Sequence, residues 1–455
     1  MRRFTIRNLP ALSSRHTRPA SIIIIFITLT ALWSSGLPRA CIFGQCRSRP
    51  YNYHTQDGRE IDLSDPEAPF VAWPLARVCS ETTWTPGLVF MCDNNSGGIG
   101  NIRSYTLTCL RYAIAAGATG LVMPTIRTRS DNNLADLFSG HRPFDYFFDK
   151  EHFQRGLHLA CPQIKIYDAA ADILGFGEPF KPQQITPNKY GLRGGCDRRE
   201  LNKHTDLFGP RFRKWLNETA EQLKLPPVGT DYPRVIRMNW GVQWDFPVYK
   251  DGPEFVATFG GLLKFQKDIL ELGKRTVSAM ELLATSGAGG SKQFAGFHLR
   301  TENDALSRWP DFDIQSSAYI QRAAGLGVRA AYLATGNATE ADRFKTTAMS
   351  QERIQVVTKH DLLAGTRDGL KQLDSLSWDQ QALVDFIVLL KSTYFMGVNP
   401  SSFSINVAGK RHLQREGLYT RPWKAGGDGD GRSWLMGNYD SYWDDWLFMY
   451  DSLWP

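Results

Sequence analysis

Arg300 is the first residue whose type and position indicate chemistry. It stands in the run Gly296-Phe-His-Leu-Arg-Thr-Glu-Asn-Asp304, at the end of an apolar stretch typical of a buried strand. Because ligands of parallel α/β folds bind at the carboxyl ends of strands, Arg300 is predicted to lie at a ligand site. A planar guanidinium can hold a diphosphate through two hydrogen bonds and stays charged at any working pH. The alternative is an arginine in an interdomain ion pair.

A second segment, Tyr394-Phe-Met-Gly-Val-Asn-Pro-Ser-Ser-Phe-Ser404, also reads as a strand followed by a helix. Ser401 and Ser402 are placed to cap that helix. Their hydroxyls and the free N–H groups of the first helical turn suit an anionic phosphate. Ordinary helix capping explains the two serines equally well, so it is the combination with Arg300 that favours a binding site.

The glycine-rich loop Gly97-Gly-Ile-Gly-Asn101 is a third candidate. Gly98 and Gly100 allow a ligand or a facing loop to approach the backbone closely, and Asn101 would be presented at a helix start. A tight structural turn is the alternative. The glycine spacing is too short for the dinucleotide fingerprint, and no P-loop lysine follows it.

Two Asp-x-Asp triplets, Asp311-Phe-Asp313 and Asp428-Gly-Asp430, raise the possibility of a metal-dependent transferase. The first follows Arg308-Trp-Pro in a predicted loop. The second lies in a glycine-rich tail with no nucleotide-binding strand leading into it. The sequence therefore favours a site without metal, in which Arg300 and a helix N-terminus meet the charge of the leaving group.

Strands and helices alternate around these motifs. In the first half a strand at 88–91, the glycine loop, a helix at 102–116 and a strand at 120–124 form a βαβ unit. In the second half strands are predicted at 294–299, 329–334, 354–358 and 393–398, with helices between them. Such alternation requires a parallel sheet covered on both faces. We therefore predict an α/β, GT-B-like fold of two Rossmann-like domains that face a cleft.

The predicted organisation has six parts. Residues 1–19 form a cytosolic tail, 20–37 a transmembrane signal anchor and 38–75 a stem. Residues 76–250 form the N-terminal, acceptor-side domain and 251–415 the nucleotide-sugar domain. Residues 416–455 form an aromatic tail that packs back on the body, since buried aromatic side chains are more often packing groups than sugar-binding surfaces.

The anchor is predicted from a charge-free apolar span that is just long enough to cross a bilayer. Five arginines precede it, which orients the body towards the lumen. A cleaved signal peptide is the alternative, although the long basic segment before the span favours an uncleaved anchor. We expect a type II protein of the Golgi or endoplasmic reticulum membrane.

The net charge of +7 comes from the N-terminus. Residues 1–50 contain eight arginines and no lysine or acidic residue, which leaves 53 − 8 = 45 basic against 46 acidic side chains in the rest. A nucleic-acid partner is therefore not predicted. Some of the seven cysteines (41, 46, 79, 92, 109, 161 and 196) should pair in a lumenal domain, but their spacing does not reveal the pairing.

These motifs resemble the GDP-fucose protein O-fucosyltransferase family. His298-Leu-Arg300 with Glu302 and Asp304 is similar to a motif of the plant O-fucosyltransferase-like proteins. The run from Phe395 to Phe403 is similar to a C-terminal motif of the animal enzymes. Resemblance in the family's order extends over about residues 85–415.

The resemblance implies an inverting, metal-independent transfer of fucose from GDP-fucose to a hydroxyl of a protein or glycan acceptor, with no cofactor. It makes Arg300 and Asn101 the catalytic residues: Arg300 neutralises the departing β-phosphate, and Asn101 lies near the reacting sugar. It assigns the remaining site residues to donor binding, with two of them near the guanine (His298 and Asp385) and the others elsewhere around the donor (Gly98, Gly100, Asp304, Ser401, Ser402 and Phe403).

The sequence departs from the plant pattern at Ala305 and at Ile99-Gly-Asn101, so the acceptor side is less well defined than the donor side. A non-catalytic lumenal protein that binds a nucleotide sugar or a glycan with the same fold remains the alternative function.

Overall fold

The computed structural model describes residues 53–55, 57–130, 136–176, 181–186, 204–287, 290–302, 309–413 and 431–455. The predicted cytosolic tail and anchor lie outside the described residues, as do the first part of the predicted stem, Asp304 and the triplet at 428–430. Within the described residues, no helix is both long enough and apolar enough to cross a membrane.

The strands of the described residues are, in chain order, β1 (Thr85–Met91), β2 (Ala118–Val122), β3 (Ile126–Thr128), β4 (Gly140–Arg142), β5 (Lys165–Tyr167), β6 (Gln183–Ile185), β7 (Arg234–Met238), β8 (Ala295–His298), β9 (Ala330–Ala334), β10 (Gln355–Val357), β11 (Tyr394–Val398) and β12 (Ser433–Met436). The α-helices are α1 (Trp73–Ser80), α2 (Ile99–Ala116), α3 (Lys150–Ala160), α4 (His204–Gln222), α5 (Pro253–Phe259), α6 (Lys267–Ser286), α7 (Phe312–Gly325), α8 (Ala338–Glu352), α9 (Lys359–Ala364), α10 (Gly369–Asp374), α11 (Trp378–Lys391) and α12 (Ser402–His412).

Two parallel five-stranded sheets form the body. The first has the order β5-β2-β1-β7-β6 and the second the order β10-β9-β8-β11-β12. The apolar part of β1, residues 88–90, and all four residues of β8 are buried, as strands covered by helices on both faces must be. The predicted α/β fold with parallel sheets is therefore confirmed.

The strand order of each sheet reverses at its centre, between β1 and β7 in the first sheet and between β8 and β11 in the second. At such a reversal the loops that follow the two central strands diverge to opposite faces of the sheet and leave a crevice at the carboxyl edge. In the second sheet these loops carry Arg300 and Ser401.

The described C-terminal residues, 431–455, pack on the body and include a strand that the sequence interpretation did not identify. Ser433–Met436 forms β12, which pairs in parallel with β11 at the edge of the second sheet. The chain then crosses to the first sheet, where the buried Trp454 donates from Nε1 to Thr108 Oγ1 at 3.0 Å. Residues 431–455 thus contact both five-stranded sheets or the helices that cover them.

The last part of the predicted stem also contacts the body. Lys391 forms an ion pair with Asp65 at 2.6 Å, and Lys410 Nζ donates to the carbonyl oxygen of Leu63 at 3.0 Å. Residues 253–286 form α5, a 3₁₀ turn at Gly260–Leu262 and α6. The Gly260-Gly261 pair ends the first of these helices, where Arg103 and Pro455 approach the backbone of Gly260.

Two disulfides link elements of the first half within the described residues. Cys92, just after β1, is bonded to Cys109 in α2, and Cys79 in α1 is bonded to Cys161 after α3. The first ties the loop that follows β1 to the helix that begins after it. The other three cysteines lie outside the described residues.

Candidate active site

A cleft of about 730 Å³ lies between the carboxyl edges of the two sheets. The predicted site residues that line it come from both halves of the chain: Gly98, Gly100, Asn101, His298, Arg300, Asp385, Ser401, Ser402 and Phe403. Asp304 lies outside the described residues. We call the surface that follows β8 and β11 the second-sheet wall, and the surface formed by the start of α2, Trp244 and Trp446 the first-sheet wall.

Arg300 is held in position by its neighbours on the second-sheet wall. Gln315 of α7 accepts from the Arg300 N–H and donates to the Arg300 carbonyl oxygen, both at 3.0 Å. The guanidinium donates to Glu302 Oε2 at 2.5 Å and lies over the ring of Trp309 at 4.6 Å from its centroid. These contacts orient the guanidinium before any ligand arrives.

Glu302 is a buried carboxylate whose charge is maintained by its surroundings. Burial opposes its ionisation, but the charge of Arg300 and the hydrogen bond from the Gly336 N–H at 2.8 Å outweigh that effect, so the pKa of Glu302 is lowered. The motif that contains Arg300 therefore supplies a fixed ion pair.

His298 is the last residue of β8 and is neutral at working pH, because burial lowers its pKa to about 4. Its Nδ1 lies 2.7 Å from Ser404 Oγ, and its ring lies 4.5 Å from that of Phe403. The neutral imidazole thus offers its second ring nitrogen and its flat face to a ligand in the cleft and adds no charge there.

The start of α12 confirms only one of the two predicted caps. Ser401 is the N-cap and its hydroxyl accepts from the Ser404 N–H at 3.4 Å, whereas Ser402 is the first helical residue. The helix N-terminus therefore faces the cleft beside Arg300, where both favour an anion.

Asp385 lies deeper in the cleft on α11. Its two carboxylate oxygens accept from Tyr332 at 2.6 Å and from Lys359 Nζ at 2.7 Å. Lys359 also lines the cleft, and the sequence interpretation had not included it in the site. Its position two residues after β10 is the signal that could have identified it.

The glycine loop forms the start of the first-sheet wall. Gly98 is the N-cap of α2, and Asn101 lies in its first turn. A Cβ at Gly100 would stand 2.6 Å from the carbonyl carbon of Ser402, so the two helix N-termini touch at this glycine. Asn101 Oδ1 is buried and, within the described part of the chain, has no hydrogen-bond partner.

Arg129 and Asp379 form an ion pair across the cleft that the sequence interpretation did not predict. Their ion pair measures 3.2 Å, and the guanidinium of Arg129 lies 4.9 Å from the ring of Trp378. Arg129 follows the short strand β3, whose three residues give no recognisable strand signal. These residues connect the β3–β4 hairpin to α11.

The described Asp-x-Asp triplet has structural partners. Asp311 caps α7 by accepting from the Ile314 N–H at 2.9 Å, and Asp313 forms an ion pair with Arg343 at 2.5 Å. Across the described ranges there is no group of three or more His, Cys, Asp or Glu side chains placed to hold a metal ion.

Comparison with known proteins yields a family and several structural relatives. The family model of GDP-fucose protein O-fucosyltransferases matches residues 88–414. Solved structures of POFUT1 in complex with GDP-fucose are similar, one with 14% identity and a TM-score of 0.44 over 78% of this chain and 99% of that chain. The fucosyltransferase NodZ from Bradyrhizobium has 14% identity and a TM-score of 0.36, over 72% of this chain and 92% of that chain. A mutant of FUT1 from Arabidopsis thaliana in complex with GDP has 11% identity and a TM-score of 0.34, over 74% and 71%. No curated protein sequence matches the chain.

Proposed function

This chain belongs to the GDP-fucose protein O-fucosyltransferase family, and we therefore propose that it transfers fucose from GDP-fucose to a hydroxyl of a protein or glycan acceptor. The reaction inverts the anomeric centre and uses no metal. The observation that carries the proposal is the convergence of Arg300 and the N-terminus of α12 at the reversal point of the second sheet.

The proposed chemistry places the diphosphate on the second-sheet wall. The acceptor oxygen forms a bond to C1 of fucose while the bond from C1 to the β-phosphate oxygen breaks. GDP leaves with that electron pair, and the hydroxyl proton passes to water. Arg300 and the free N–H groups of α12 stabilise the charge that develops on the phosphate, an effect worth on the order of 3 kcal/mol for each well-placed donor.

The remaining residues orient the reactants. Glu302 and Trp309 hold the guanidinium so that it need not reorganise during the reaction. In this proposal His298 and Asp385 contact the nucleoside, and Asn101 contacts the acceptor hydroxyl; all three line the cleft, with Asn101 on the opposite wall, which supports these roles.

A panel of sugar nucleotides tests the proposal. The purified protein is incubated with GDP-fucose, GDP-mannose and UDP-galactose, and both GDP or UDP release and thermal shift are measured. We expect GDP-fucose to be bound and slowly hydrolysed. Binding without any release of GDP, with or without acceptors, would instead indicate a non-catalytic binding protein.

Metal independence has its own test. Because Arg300 and a helix N-terminus meet the phosphate charge in this proposal, calorimetry should show GDP binding in excess chelator. Complete loss of GDP binding in chelator, with recovery on adding manganese, would favour a metal-dependent transferase.

We also propose that the protein is a type II membrane protein of the Golgi or endoplasmic reticulum. The two disulfides support an oxidising compartment. The charge-free span at 20–37 supports an anchor. N-terminal sequencing of the protein isolated from cells is the test, and a mature terminus near Cys41 would contradict the uncleaved anchor.

A further inference from the structure

Two tryptophans from distant parts of the chain form an aromatic surface in the cleft. Trp244 follows β7, and Trp446 belongs to the C-terminal segment beyond the range that the family model matches. Their ring centroids lie 5.3 Å apart with an interplanar angle of 59°. Both side chains are partly exposed and line the cleft together with Asn101.

The backbone at this surface is held in an uncommon conformation. Trp446 has φ 56° and ψ 33°, and Gln243, next to Trp244, has φ 43°. Left-handed backbone is rare for residues other than glycine and is an outlier for a bulky side chain. Such strain persists where the surrounding structure enforces it, and it clusters at ligand sites.

The surface is tied to the second-sheet wall through Asn399, which lies between β11 and Ser401. Its amide donates to the carbonyl oxygens of Asn438 at 2.9 Å and Asp445 at 3.1 Å. Its side-chain oxygen accepts from Tyr450 at 3.0 Å. The loop that carries Trp446 is therefore fixed relative to the loop that carries the phosphate-binding serines.

We propose that Trp244 and Trp446 form a subsite for a sugar ring of the acceptor, so that the acceptor is a glycan. This inference rests on the proposed fucosyl transfer. The C–H face of a pyranose ring is apolar and packs on an indole face, while its hydroxyls point outward. Asn101 also lines the cleft, and its buried Oδ1 lacks a hydrogen-bond partner in the described structure, so a small rotation of its amide group would offer that oxygen to one of these hydroxyls.

A peptide acceptor fits this wall less well. An extended peptide is commonly bound by adding a strand to an exposed sheet edge. The edge strands of the two described five-stranded sheets are β5, β6, β10 and β12, whereas the cleft opens at the carboxyl ends of the strands. The first-sheet wall offers two indole faces, at Trp244 and Trp446, and the unpartnered amide oxygen of Asn101. A saccharide can pack its C–H face on the indoles and donate a hydroxyl to the amide oxygen.

Acceptor assays test the inference on the full chain. GDP release from GDP-fucose is measured with methyl β-pyranosides of glucose, galactose, mannose and N-acetylglucosamine and their oligosaccharides, and separately with Ser- and Thr-containing peptides and folded domains. We expect at least one saccharide to raise GDP release more than 10-fold over hydrolysis, and peptides to leave it unchanged. Acceleration by peptides or folded domains alone would overturn the proposal.

Trp446→Ala should raise the KM for the saccharide at least 10-fold while the Kd for GDP stays within twofold, and Trp446→Phe should restore most of the affinity. Trp443→Ala is the matched control, because Trp443 and Trp446 both pack on Phe448, with ring centroids 5.3 Å and 6.1 Å away, but Trp443 does not line the cleft. Equal effects of the alanine variants at 443 and 446, or an unchanged KM, would contradict the subsite.

A measurement on the unmodified protein covers the case in which the Trp446 variant fails to fold. In the presence of GDP, the accelerating saccharide should quench tryptophan fluorescence, and saturation transfer should place its C–H protons against indole protons. Hydrolysis of GDP-fucose with no effect of any saccharide would remove this inference alone, whereas failure to bind GDP-fucose would remove the proposed function itself.

Discussion

The two walls of the cleft are built differently. On the second-sheet wall the charged and polar groups are paired: Arg300 with Glu302 and Gln315, His298 with Ser404, and Asp385 with Lys359. On the first-sheet wall Asn101 Oδ1 lacks a partner in the described structure, and left-handed backbone occurs at Trp446 and at Gln243, the buried neighbour of Trp244. The side chains of the second-sheet wall are therefore held in position before a ligand arrives. The first-sheet wall instead has an unmade hydrogen bond and a strained backbone, both of which a ligand can compensate.

This difference indicates a division of labour. A charged diphosphate is best stabilised by donors that are already oriented, because reorganising charged groups during the reaction is costly. An acceptor is recognised by shape and by a few hydrogen bonds, so its wall can leave those bonds unmade until the acceptor binds. Variants on the second-sheet wall should therefore change donor turnover, and variants on the first-sheet wall should change acceptor binding.

Arg300→Lys should have the largest effect. Lysine keeps the charge but cannot make the planar two-point contact, so turnover should fall by about 10² to 10³ while the melting temperature changes little. Turnover and melting are measured on the same preparation. Arg322→Lys is the control. The guanidinium of Arg322 also lies over an indole ring, 5.0 Å from the ring centroid of Trp434, but Arg322 does not line the cleft. A fully active Arg300→Lys enzyme would make Arg300 a structural residue.

Gly100→Ala tests the junction of the two walls. Alanine suits a helix better than glycine does, by about 1 kcal/mol, yet its Cβ would stand 2.6 Å from the Ser402 carbonyl carbon and push the walls apart. Misplacement by about 1 Å can cost on the order of 10² in rate. We expect a loss of that order, measured as kcat with GDP-fucose. Gly365→Ala, where nothing lies within 4 Å, should be nearly neutral.

Glu302→Gln should lower turnover by about 10-fold, since glutamine keeps a hydrogen bond but loses the charge that orients Arg300. The Kd for GDP should change less than kcat, because Arg300 keeps its own charge. Asp251→Asn is a matched control that weakens another buried ion pair, with Arg111, outside the cleft. If both variants lose stability but neither loses turnover, Glu302 has no role in positioning the Arg300 guanidinium for the reaction.

His298 should produce the smallest effect near neutral pH. Burial lowers its folded pKa to about 4, against about 6.5 in the unfolded chain, so protons bind the unfolded state preferentially as the pH falls between these values. The free energy of unfolding should fall by just under about 1 kcal/mol by pH 6 and by about 3 kcal/mol by pH 4 through this group. Urea denaturation across this range measures the loss, which His298→Gln should reduce by this amount and a variant of the exposed His158 should not reduce. The loss that remains comes from other groups, such as His152 and His360, whose pKa values are also lowered by burial. Identical slopes for wild type and His298→Gln would refute the assignment.

Much of the fold was predictable because it follows from local patterns. Apolar runs separated by helical segments were sufficient to predict β1, β2, β8, β9, β10 and β11 and their parallel arrangement. Other strands of three residues, such as β3, β5 and β6, carry too short a pattern to be distinguished reliably from loops. The strand β12 was missed because its composition resembles that of the aromatic residues that follow it, and its pairing depends on the exposed edge of β11.

The sequence by itself was sufficient to bring Arg300 and Ser401 together on the second-sheet wall, since each follows a strong strand signal and carboxyl ends of parallel strands meet at one edge. It could not determine which side chains cross the cleft. The pair Arg129 and Asp379 and the pair Trp244 and Trp446 are each separated by about 200 residues or more, and neither member has a local pattern that names its partner. Only tertiary structure decided these contacts, because they depend on how two sheets and a returning C-terminal segment pack together.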